Sequence, residues 1–90
     1  MRVCKHARIE GRVQGVGFRY YTQMQAQRLG ICGWVRNGSD GSVEAMICGK
    51  IEQLEAMKQW LKCGPDYAHV ALIEFSAGHL QDSCNDFRIV

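Results

Sequence analysis

No apolar run in this sequence approaches the roughly 18–20 residues that a membrane-spanning helix needs. The first residues, Met1-Arg2-Val3-Cys4-Lys5-His6, lack the apolar core of a secretory leader. No membrane association is therefore expected, and a cytoplasmic location is. Charge of one sign is also scarce: the formal net charge is +2, and the basic residues are scattered. Nucleic acid is thus not an expected partner. None of the five cysteines (Cys4, Cys32, Cys48, Cys63, Cys84) forms a CxxC pair, which argues against a zinc site or a dithiol redox motif. His6, His69 and His79 show no ligand spacing and no cysteine beside them to act as a nucleophile. No acidic cluster resembles a magnesium site, and no serine elbow is present. Neither a metal nor another cofactor is expected.

Nucleotide fingerprints are missing as well. Gly15-Val16-Gly17-Phe18-Arg19-Tyr20 lacks the third glycine of the dinucleotide motif, and no Gly-Lys-Ser/Thr occurs for a P-loop. Repeats, linkers and low-complexity tracts are absent too.

What remains is an ordinary globular composition, 47% hydrophobic and 22% charged over 90 residues. That length suits one domain, residues 1–90, burying about 60–65% of its unfolded surface. Residues 3–9 read as a strand with Ala7 and Ile9 on one face and Cys4, His6 and Arg8 on the other. A helix follows from Phe18 to Leu29, its expected apolar stripe being Phe18, Tyr21, Met24 or Gln25, Ala26 and Leu29, with Gly30 as its stop. Residues 31–36 and 43–48 form a hairpin around Asn37-Gly38-Ser39-Asp40-Gly41-Ser42, a dense turn signal. A second helix is predicted over 50–62, with Ile51, Leu54, Met57 or Lys58, and Leu61 inward and Gly64-Pro65 at its end. Strands over 70–75 and 86–90 close the chain, joined by a polar connection over 78–85. Trp34, Trp60 and Phe87 read as core rather than as a base-stacking platform, and the 44–48 strand carries no aromatic residue of the kind an RNA-recognition module shows.

The order βαββαβ plus a short final strand predicts an α+β fold: a ferredoxin-like sandwich with two helices on one face of a mainly antiparallel sheet. In that arrangement the first and third strands are central antiparallel neighbours, which brings Cys4 beside Cys48 on the face away from the helices. A Cys4–Cys48 disulfide is then geometrically feasible, although a reducing compartment favours small buried thiols.

The organising stretch is Gly11-Arg12-Val13-Gln14-Gly15-Val16-Gly17-Phe18-Arg19. A glycine-rich loop entering a helix gathers free amide N–H groups at the positive end of the helix dipole, where anions bind. Arg19 would add a planar fork of donors. Each residue also has a plain structural role open to it: the glycines can simply make a tight connection, Arg19 can be a surface arginine, and Asn37 before Gly38 suits a type I′ turn. The predicted topology nevertheless opens both loops on one sheet edge.

These residues resemble the acylphosphatase family. The stretch from Gly11 to Arg19 is similar to its first signature, and Gly33-Trp34-Val35-Arg36-Asn37 with Asp40-Gly41-Ser42-Val43-Glu44 to its second. The similarity extends to Trp60-Leu61 and Asp86-Phe87-Arg88-Ile89. The resemblance implies metal-independent hydrolysis of the carboxyl–phosphate bond of small acyl phosphates to a carboxylate and inorganic phosphate. It implies that Arg19 binds the phosphoryl group, with the loop of Gln14, Gly15, Val16, Gly17 and Phe18, and that Asn37 positions the attacking water. A monomer is expected. The competing reading is a module that binds a small anion, such as carbamoyl phosphate, without turning it over. A metal chaperone of similar topology would need two cysteines in the first loop, which has none.

Overall fold

A computed structural model describes residues 2–79 and 84–90. The elements run β1 (Val3–Arg12), α1 (Phe18–Leu29), β2 (Cys32–Asn37), β3 (Val43–Gly49), α2 (Ile51–Cys63), β4 (His69–Ala77) and β5 (Phe87–Ile89). They form one five-stranded sheet in the order β4-β1-β3-β2-β5. The sheet is mixed: β1 pairs antiparallel with β3 and β4, β2 antiparallel with β3, and β5 lies parallel to β2. β1 therefore runs central and antiparallel to β3, with β2 parallel to β1 one strand away. The polar connection expected over 78–85 falls in part on residues 80–83, outside the described residues.

Alternation along the strands sends two sets of side chains to opposite faces. Ala7, Ile9, Val35, Val43, Ala45 and Ile47 pack under Phe18, Ala26, Leu54, Met57 and Leu61 of the helices, all essentially without solvent exposure. The other face carries a second, smaller cluster of Cys32, Met46 and Cys48, with Cys4, Trp34 and Cys84 against it.

Several local expectations are revised. β1 continues past Ile9 because a register shift at Glu10/Gly11 lets Gly11 and Arg12 pair with Val70 and His69 of β4. The inward row of α1 is Phe18, Thr22 and Ala26, spaced by four, so Tyr21 (46% exposed) and Met24 (38%) turn toward solvent. In α2 the buried row is Leu54, Met57 and Leu61, and Ile51, in the first turn, is 64% exposed. Phe87 is buried and Trp60 packs against the core, but Trp34 belongs to the opposite face: it lies opposite Met46 in the ladder, and Arg36 sits 4.8 Å above its ring. The expectation of buried thiols is also revised, since Cys4 is bonded to Cys48 and Cys32 to Cys84, leaving Cys63 as the free, exposed cysteine.

Candidate active site

The C-terminal ends of β1 and β2 place two loops side by side. Val13 leaves β1 and is 1% exposed; Phe18 opens α1 and is also 1% exposed, its ring 5.9 Å from that of Trp60. The intervening loop is thus pinned at both ends by buried side chains while Gly15 and Gly17 stay open to solvent. Both glycines are left-handed, with φ of 75° and 78°, a backbone that residues with a Cβ adopt at a cost.

Gly17 is the N-cap of α1 and supplies no side-chain hydrogen bond, and the first turn holds no acidic residue. The first amides of the helix therefore keep their donors, and the positive end of the dipole is not neutralised by the chain. Arg19 is exposed beside them. Among the described residues it takes part in none of the ion pairs.

Asn37, the last residue of β2, lies against Val43 in the ladder. Its Oδ1 is buried and has no donor among the described residues, an arrangement that costs free energy unless a ligand or water supplies one. Asn37 and Arg19 line one open cleft of about 220 Å³ together with Gly15, Gly17 and Phe18. Val13, Tyr20 and Ile89 complete its walls, the last two a contribution from α1 and β5 that the motif reading did not include.

Gln14 and Val16, also predicted for the loop, do not line the cleft. The Gln14 side chain turns to the hairpin, where Nε2 donates to the carbonyls of Gly38 and Ser42 at 2.8 Å each. It ties the glycine loop to the segment that follows Asn37. That segment is tightly closed on itself. Gly38 N–H donates to Ser42 O at 2.7 Å, and Asp40 Oδ1 accepts from both the amide (3.1 Å) and the hydroxyl (2.6 Å) of Ser42. Arg8 reaches from β1 to pair with Asp40 and Glu10. The two Ser42 donors, and then Arg8, hold the Asp40 carboxyl well below the usual carboxylate range. Glu44, on β3, is also lowered, chiefly by its contact with His6 and then by Arg36. The Asp40–Ser42 contact has a sequence signal in Asp-Gly-Ser, an Asx-type turn; the Arg8 and Gln14 contacts have none, because they depend on which strands are neighbours.

The donor set of this cleft suits an oxyanion better than a metal ion. It offers amides, a guanidinium and one carboxamide, but no carboxylate, imidazole or thiol. The one group of metal-ligand type among the described residues is Cys32, Cys48 and Cys84, at the opposite end of β2. A larger cavity of about 670 Å³ opens there, remote from Arg19 and Asn37.

Comparison with known proteins converges on one family. A family model described as acylphosphatase matches residues 5–89. An acylphosphatase of Pseudomonas paraeruginosa is 52% identical over 80 residues, 89% of this chain and 88% of that protein. One from Rhizobium etli is 50% identical over 82 residues, covering 91% of this chain and 87% of its own. The crystal structure of acylphosphatase from Bacillus subtilis superposes with a TM-score of 0.92 at 34% identity, covering 100% of this chain and 99% of that one.

Proposed function

Because this chain belongs to the acylphosphatase family, we propose that the cleft between loop 14–19 and Asn37 is its active site. The protein is a hydrolase of acyl phosphates. Residues 1–90 act as one acylphosphatase-like domain, a cytoplasmic monomer working on small acyl phosphates without nucleic acid.

The phosphoryl group sits on amides of the loop 14–19 at the N-terminus of α1, where Gly15, Gly17 and Phe18 line the cleft, with the Arg19 fork on its remaining oxygens. Phosphoryl transfer is loose and demands positioning and charge neutralisation more than covalent help. The guanidinium and the amides supply that positive charge, so the step needs no metal ion. The leaving group is a carboxylate, stable as it departs, so no general acid is required. Asn37 Oδ1 accepts a proton-bearing edge of the attacking water while its amide nitrogen can donate. The proton released on attack passes to an oxygen of the substrate phosphoryl group.

The observation that carries this reading is that Asn37, whose buried Oδ1 has no hydrogen-bond partner among the described residues, lines the same cleft as Arg19. Hydrolysis of benzoyl phosphate in excess chelator tests it, for wild type, Arg19→Lys and Asn37→Ala. Asn37→Ala is expected to lose roughly 10²-fold or more in kcat with a smaller change in KM, because it removes a group acting on water. Arg19→Lys should also be severely impaired, since a point charge cannot replace a bidentate fork. Wild-type turnover by Asn37→Ala would refute the assignment, and phosphate binding without carboxylate release would make this chain an anion-binding module.

A further inference from the structure

Four of the five cysteines meet at the end of the sheet opposite the active site. Cys4 and Cys32 both lie opposite Cys48 in the strand ladders, one on β1 and one on β2. Three cysteines therefore form a row across three neighbouring strands on the helix-free face. Cys84, just before β5, completes the group. Cys4 is bonded to Cys48, with Cα atoms 4.1 Å apart, and Cys32 to Cys84, at 5.8 Å. The Sγ atoms of Cys32, Cys48 and Cys84 all lie within 4.8 Å of one another. One disulfide thus has a sulfur of the other within a short displacement of it.

Two further features bear on reactivity. The cavity of about 670 Å³ is lined by Cys32, Cys48 and Cys84, which gives a small molecule access to sulfurs that are otherwise largely covered. Arg2 stands at its wall, with Nη1 3.7 Å from Cys32 Sγ and 2.6 Å from the carbonyl of Cys84. A guanidinium beside Sγ favours a thiolate there, making Cys32 the better leaving sulfur of its pair.

We propose that Cys4, Cys32, Cys48 and Cys84 form a single thiol–disulfide exchange site for small thiols, attacked first at Cys84, with Cys48 as the sulfur shared between two alternative pairings. A thiolate in the cavity bonds to Cys84 Sγ, the Cys32–Cys84 bond breaks, and Cys32 leaves as a thiolate beside Arg2. With a monothiol the product is a mixed disulfide at Cys84. With a dithiol the second thiol displaces Cys84, so the dithiol is oxidised to its cyclic disulfide and supplies the two electrons. Cys32 then attacks Cys48: the Cys32–Cys48 bond forms, the Cys4–Cys48 bond breaks, and Cys4 leaves as a thiolate that takes a proton from solvent. That second step consumes no electrons. Cys63 is exposed and stands outside the group. In a reducing compartment the disulfides that do form are typically transient ones with a catalytic or redox-sensing role.

The test uses the folded oxidised protein with Cys63 first blocked by iodoacetamide. Limiting dithiothreitol is added, the mixture is quenched in acid at intervals and alkylated with a second, mass-distinct reagent, and the pairings are mapped by peptide mass spectrometry. The expected half-reduced product carries a Cys32–Cys48 linkage with Cys4 and Cys84 alkylated, and it grows as the species retaining Cys4–Cys48 declines. Glutathione in place of dithiothreitol should leave its mixed disulfide on Cys84. A half-reduced protein that keeps Cys4–Cys48 throughout, or one that loses Cys4–Cys48 without ever forming Cys32–Cys48, overturns the shared-sulfur proposal. Glutathione found on Cys32 rather than Cys84 overturns the order of attack.

Discussion

Gln14→Ala isolates the link between the two halves of the proposed site. The side chain of Gln14 makes two hydrogen bonds, to the carbonyls of Gly38 and Ser42, both at 2.8 Å. Each neutral bond is worth about 1 kcal/mol net, with a range of roughly 0.5–1.5. Ser42 is 3% exposed, so water can replace the lost donor only poorly, and a total near 2 kcal/mol is expected. For a domain of this size that corresponds to a Tm lower by roughly 8–16 °C, at about 4–8 °C per kcal/mol. The measurement is calorimetry or urea unfolding of the oxidised protein, in parallel with benzoyl phosphate kinetics. Because the Gln14 side chain faces the hairpin, its loss should act through Asn37: kcat falls while KM changes less, since the glycine loop keeps its own backbone. Gln14→Glu sharpens the comparison. It matches Gln in size but presents oxygens to two carbonyl oxygens, so it should be less stable than Gln14→Ala at neutral pH. If Gln14→Glu is as stable and active as wild type, the side chain is a space-filler and the proposed coupling is wrong.

Gly17→Ala must hold a Cβ residue at φ 78°, with that Cβ 3.2 Å from the Tyr21 ring. A cost of about 1–2 kcal/mol is expected in urea unfolding, with KM raised more than kcat is lowered, because in the proposed site the perturbed group binds phosphoryl in substrate and transition state alike. Asp40 makes a pH prediction. Its folded carboxyl is depressed by Ser42 and Arg8, so its contribution to stability is present above the ordinary carboxylate value near 4 and is lost as pH falls through the depressed folded value. The urea midpoints of wild type and Asp40→Asn should therefore differ most at neutral pH, and the difference should narrow steadily below about pH 4; a gap that widens on acidification would contradict the sign.

Much of the fold is legible because the signals are local. Helix α1 is read with its observed limits, since Gly17 and Gly30 bracket it with left-handed caps at both ends. The neighbouring of Cys4 and Cys48 follows from the strand order, once β1 and β3 are taken as antiparallel partners. What escapes the sequence depends on contacts between distant segments. β5 is only three residues, and its parallel seat on β2 accompanies a bond from Gly33 N–H to the carbonyl of Asp86 at 2.9 Å. Without that seat, neither the Cys32–Cys84 bond nor the presence of Ile89 in the cleft can be foreseen. The inward face of α1 departs from the expected stripe for a different reason: Thr22, a polar residue, takes the inner position with 0% exposure, while the larger Tyr21 lies about 100° around the helix. For the candidate site, the motif identifies which residues converge, but the division of labour within it is tertiary. Gln14 sits inside the glycine stretch, and only the placement of the hairpin shows that its side chain points away from the cleft.

In the proposed mechanism the weakness of the α1 cap is itself part of the chemistry. A serine, threonine, aspartate or asparagine at an N-cap typically stabilises a helix by about 1 kcal/mol, and acidic residues in the first turn add to this. This helix has neither: Gly17 offers no side chain and the first turn carries Arg19 instead of an acid. Stability is recovered elsewhere, through the buried anchors Val13 and Phe18 on either side of the loop, the Gly30 cap that bonds to Ala26 and Gln27, and the Gln14 tie to the hairpin. All of these hold the amides in place without satisfying them. A carboxylate at the cap would do the reverse, since it would stabilise the helix by occupying the donors that the proposed site offers to a phosphoryl group. An uncapped helix start with a cation beside it and rigid supports behind it is therefore what an enzyme acting on an anion with a self-sufficient leaving group requires.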